Sequence, residues 1–129
     1  MRRPWLLWLA AGSAVVAAAT APMWASLWLQ LLEGEPAPHV PIYVAASLLA
    51  GLVAVATWVW PAQWLAAAAV AATHLTIAAF AAFAATSWEA FVPFLGEHLL
   101  AGVFAAAWAV ESFREGAAVA TTGRGLDPT

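Results

Sequence analysis

The sequence predicts an all-α polytopic membrane protein, an up-down-up-down bundle of four transmembrane helices, and three observations predict it. The first is composition: of 129 residues, 65% are hydrophobic and 9% charged, where a soluble domain carries about a quarter charged residues. The second is pattern, because the apolar residues fall into four stretches long enough, at about 1.5 Å per residue, to cross a hydrocarbon core of about 30 Å. The third is sidedness. With four spans both termini lie on one side, where Arg2, Arg3, Arg114 and Arg124 all fall, while the loops opposite carry only Glu33, Glu35 and Glu89.

The same numbers exclude other classes. A net charge of −3 with no Lys gives no basic footprint for nucleic acid. Without Cys there is no disulfide and no thiolate metal site. No Gly-rich phosphate loop, no His-Glu-x-x-His and no Ser with His and acid at workable positions occurs, so the chain is not expected to be an enzyme on its own.

In chain order, residues 1–115 form the membrane domain. The first span covers about 5–31. It is longer than the core requires, and Pro22 removes a helical hydrogen bond and disfavours helical geometry at Ala21, which predicts a kink near 22 or an early exit. A cleaved leader is the competing reading of this start, with Ala19-Thr20-Ala21 as the small-x-small site; Pro22 directly after that site argues against it. Glu33 to Pro41 is polar and Pro-rich and reads as a loop. The second span covers 42–60, closed by Pro61, and the third covers 62–86, so a tight turn joins them as a helical hairpin. Thr86-Ser87-Trp88-Glu89 connects to the fourth span, 90–112. Glu111, Arg114 and Glu115 mark the return to water, and 116–129 reads as a flexible cytoplasmic tail.

Aromatic side chains test these spans independently, since Trp and Tyr collect at the two interfaces. Trp5, Trp8, Trp58, Trp60, Trp64 and Trp108 fall toward the side of the termini, and Trp24, Trp28, Tyr43 and Trp88 toward the other. The Arg bias places both termini in the cytoplasm of a cytoplasmic-type (inner) membrane. Ala10, Ala14 and Ala18, Ala46, Ala50 and Ala54, and Ala101, Ala105 and Ala109 with Gly102 are the expected seams, because helices in lipid associate through close approach at small residues.

Three ionisable residues lie at membrane depth: His74, Glu97 and His98. Such side chains are costly unless partnered and mark function or a specific contact. His74 shares its helix face with Ala67, Ala71, Ala78, Ala81 and Ala85, and His98 shares its face with Ala101, Gly102, Ala105 and Ala109. Both imidazoles are therefore expected to point inward, at depths within about one helical turn of each other. Glu97 lies about 100° round from His98, toward Phe104 and Trp108, and belongs to a different interface.

Three functional readings follow. The favoured one is a non-catalytic subunit or anchor of a larger membrane complex, bound to the lipid bilayer and to other membrane subunits or a second copy of itself. The second is an electron-transfer subunit with haem b or a quinone at His74 and His98, imidazole being a common haem ligand. The third is a small proton-coupled transporter with Glu97 as proton carrier and His98 or His74 as the next stop. A purely structural role competes with all three, since a neutral imidazole is satisfied by a carbonyl or by Thr73 or Thr76. His39, among loop carboxylates, is not expected to hold a metal.

Overall fold

The computed structural model describes residues 4–60, 64–84 and 92–123. It is all-helical there, with α1 Pro4–Leu31, α2 His39–Val59, α3 Trp64–Ala84 and α4 Val92–Gly123. All four helices are long and apolar enough to cross a membrane. The expected turn at Pro61 to Gln63, the connection through Trp88 and Glu89, and the last six residues lie outside the described residues, as do Arg2 and Arg3.

Each helix has a local reason for its ends. α1 runs unbroken through Pro22, so the lost hydrogen bond does not end the span. It stops where Glu33 and Gly34 take positive φ, 49° and 88°; Gly adopts that conformation without a Cβ penalty. α2 begins at His39, earlier than the expected residue 42, because Val40 N–H bonds back to Ala37 O at 3.1 Å and Pro41 fits the first helical turn. α4 continues to Gly123 rather than stopping at 112. Glu111, Arg114 and Glu115 mark a change of solvent, whereas Ala117, Ala118 and Ala120 are strong helix formers that carry the helix onward. There Thr121 Oγ1 donates back to Ala118 O at 2.8 Å.

The helices pack as a ring: α1 on α2, α2 on α3, α3 on α4, and α4 back on α1. Two glycines set the closest approaches. A Cβ on Gly51 would stand 2.6 Å from Ala18 Cβ, and one on Gly102 would stand 2.7 Å from the Leu75 side chain. The α1/α2 and α3/α4 seams are tight for that reason, and the α2/α3 seam makes the least contact of the four.

The interior is layered. One end holds Leu6, Ala10, Ala67, Trp108 and Ala109. A middle layer of Ala11, Ala14, Ala54, Val70, Ala71 and Ala105 is almost entirely alanine. Ala81 and Phe94 close the other end, flanked by Trp24, Trp28 and Tyr43. Aromatic pairs cap the first end, with Trp8 and Trp58 ring centroids 4.8 Å apart and Trp64 and Phe113 at 5.3 Å. Between the alanine layer and the Phe94 layer lie the buried histidines. Large apolar side chains such as Leu49, Leu52, Leu65, Phe83 and Val103 point outward, which suits a lipid solvent.

Candidate functional site: a buried imidazole pair beside an open cleft

The structure brings His74 and His98 together. Each is fully buried, at 0% exposure, and their Nδ1 atoms are 2.9 Å apart, within hydrogen-bond distance. His98 Nε2 lies 3.3 Å from the Tyr43 hydroxyl. Three side chains from three helices thus form one chain: Tyr43 on α2, His98 on α4, His74 on α3. Phe94, one turn before His98, packs its ring 4.6 Å from the imidazole and 5.4 Å from the Tyr43 ring, fixing both. His74 Nε2 is buried without a hydrogen-bond partner, and Ser47, one turn along α2, places its hydroxyl beside that of Tyr43.

Two neutral arrangements of protons fit this geometry, since one Nδ1 of the pair must donate and the other accept. In the first, Tyr43 O–H donates to His98 Nε2, His98 Nδ1–H donates to His74 Nδ1, and His74 carries its proton on Nε2. In the second, His74 Nδ1–H donates to His98 Nδ1, His98 Nε2–H donates to the Tyr43 oxygen, and the Tyr43 O–H is free to donate elsewhere. One proton entering at His74 Nε2 and one leaving from the Tyr43 hydroxyl convert the second arrangement into the first. No group becomes charged at either end of that exchange.

The open α2/α3 seam gives the Tyr43 end an outlet. Tyr43 lines a cleft of about 570 Å³ between these helices, walled by Ala46 of α2 and by Ala72, Thr76, Ile77 and Phe80 of α3, with Trp28 and Phe94 behind. This is within the usual size of small-molecule sites, about 300–1,000 Å³, and like them it is mostly apolar with few polar groups. His39, at the start of α2, stands over its mouth with its ring 5.8 Å from Phe80.

Glu97 sits apart from this chain. It faces the α1/α4 seam, half-buried, where Trp24 Nε1–H donates to its Oε2 at 3.1 Å and the Thr20 hydroxyl hydrogen-bonds its Oε1. No described hydrogen bond joins it to either imidazole.

A haem does not fit between the two histidines as they stand. A metal held by two imidazole nitrogens keeps them about 4 Å apart, twice a metal–nitrogen bond, and a macrocycle needs a slot between the helices. Here the nitrogens touch, and Gly102 against Leu75 closes the α3/α4 seam. His74 and His98 belong to the same site, joined to Tyr43 through contacts at hydrogen-bond distance. Among the described residues no group of three or more His, Asp or Glu is placed to hold a metal ion.

Sequence reasoning missed Tyr43, Thr20 and Trp24 as members of polar sites. The aromatic-belt pattern accounts for Tyr43 and Trp24 only as interface residues. The signal available was its spacing: Tyr43, Ser47, Ala50, Ala54 and Thr57 form one helical stripe, so the only Tyr in the chain heads a small-residue face. No family model matches the chain, and comparison with curated proteins and with solved structures found no match.

Proposed function

We propose that this chain is a four-span, up-down-up-down protein of a cytoplasmic-type membrane, both termini cytoplasmic, that binds a quinone-class molecule in the α2/α3 cleft and exchanges protons with it through Tyr43, His98 and His74. The observation that carries the reading is that Tyr43 both lines the cleft and hydrogen-bonds the imidazole pair. An apolar cleft entered from lipid selects a lipophilic ligand, and a phenol hydroxyl at its wall selects one bearing an oxygen acceptor. When a partner in the membrane reduces such a ligand, its oxygen takes the Tyr43 proton. His98 Nε2–H then replaces it and His74 Nδ1–H moves to His98, and the proton that restores His74, at Nε2, comes from an acidic group of the same partner. The electrons come from that partner, which makes this chain one subunit of a larger assembly. The alanine layer beyond His74 supports a local relay and not a continuous path across the bilayer.

The test is a titration of the purified protein in lipid nanodiscs with decylubiquinone, read as quenching of tryptophan emission. Saturable quenching is expected, and Ala72→Phe, which fills the cleft from its exposed wall, weakens it at least about tenfold, the effect of losing about 1.4 kcal/mol. Equal quenching in both proteins, or quenching that never saturates, contradicts the proposal.

A further inference from the structure

The α1/α4 seam, on the far side of the ring from the cleft, holds a carboxyl that the relay does not use. We propose that Glu97, with Thr20 and Trp24, is a second proton-exchange site, open on the outer face of the α1/α4 seam and outside the hydrogen-bonded chain that serves the cleft.

The partners of Glu97 serve both of its protonation states. Thr20 Oγ1 lies 3.0 Å from Val16 O, its own helix carbonyl. While its one hydrogen goes there, the hydroxyl oxygen accepts from a protonated Glu97. When the carboxyl is ionised, the same hydrogen turns from Val16 O to Glu97 Oε1. Trp24 Nε1–H donates to Oε2 in either state. One hydroxyl rotation therefore accompanies the gain or loss of one proton, with no orphaned group in either state.

A structural role alone does not call for an acid here. The amide of Gln would accept from Trp24 and donate to Thr20 at similar positions, and it avoids placing an ionisable group at membrane depth. What the carboxyl adds is an exchangeable proton. Access is provided from outside the bundle: Glu97 is half-buried rather than enclosed, and the neighbouring Gly96 faces open space, with nothing within 4 Å of where a Cβ would stand. The other ionisable side chains at this level, among the described residues, are Tyr43 of α2, His74 of α3 and His98 of α4; α1 contributes none.

Dicyclohexylcarbodiimide tests this directly, because it partitions into lipid and the acid O–H adds across one N=C bond to give an O-acylisourea, whose acyl group then migrates from oxygen to nitrogen to leave a stable N-acylurea. Labelling is run on the full-length protein in bilayers over a pH series and mapped by peptide mass spectrometry. An adduct on Glu97 is expected, decreasing as pH rises, absent in Glu97→Gln and unchanged in Ala72→Phe, which blocks only the cleft. Absence of an adduct at Glu97 in the unaltered protein overturns the proposal, as does labelling that does not change with pH. Suppression by sodium at fixed pH also overturns it, in favour of a cation site.

Discussion

The imidazole pair is where a single residue matters most. Removing one partner of a buried hydrogen bond leaves the other unsatisfied, at a cost of about 1–3 kcal/mol, whereas removing both is far milder. His98→Leu is therefore expected to lower stability by roughly that amount in detergent unfolding. The double variant His74→Leu/His98→Leu should cost less than the sum of the two single changes, and strictly additive losses would mean the two rings do not share a proton. Legibility at this scale was uneven. The inward faces of His74 and His98 could be read from the alanines spaced around them, and the separate face of Glu97 from its 100° offset. The hydrogen bond to Tyr43 could not, because it depends on the order of helices around the ring, which no spacing within one helix encodes.

Between helices, the decisive contacts are made by atoms that are missing. Gly51 lets α2 approach Ala18 and the Ala14 carbonyl of α1. Gly51→Ala is expected to destabilise the protein by about 1–3 kcal/mol, the usual cost of overpacking a tight contact, and Ala18→Gly in the same chain should recover most of it. Thermal unfolding of the single and double variants checks this. Gly12→Ala is the control: nothing lies within 4 Å of its added Cβ, so helix propensity alone acts and stability should hold or rise slightly. The sequence pointed to alanine seams on α1, α2 and α4, and Ala10, Ala14, Ala50, Ala54, Ala101, Ala105 and Ala109 are buried. It did not single out Gly51, one position off the Ala46, Ala50 and Ala54 row. The end of α4 was misjudged for a different reason, since Glu111 and Arg114 report where water begins and not where hydrogen bonding stops.

At the scale of the whole molecule, four helices were legible because apolar length is the one property a bilayer demands of each span. Orientation rests on the Arg bias and is open to a clean test, because the chain contains no Cys. A membrane-impermeant maleimide applied to intact cells should label Glu35→Cys, while Ala120→Cys should react only after permeabilisation. The reverse pattern would invert the topology. Function was less legible than fold because the cleft is a property of packing: it exists where the α2/α3 seam is the loosest of four, and composition says nothing about which seam that is.

In the proposed function, a ligand in the cleft is coupled through Tyr43 to the two histidines. The most direct measurement is solid-state ¹⁵N spectroscopy of histidine-labelled protein in bilayers, before and after saturation with decylubiquinone, in the unaltered chain and in Tyr43→Phe. A hydrogen-bonded Nδ1 pair is expected, whose His98 and His74 signals both move on ligand addition, with the response lost in Tyr43→Phe although binding remains. Saturated binding that leaves both imidazoles unmoved in the unaltered protein would contradict it.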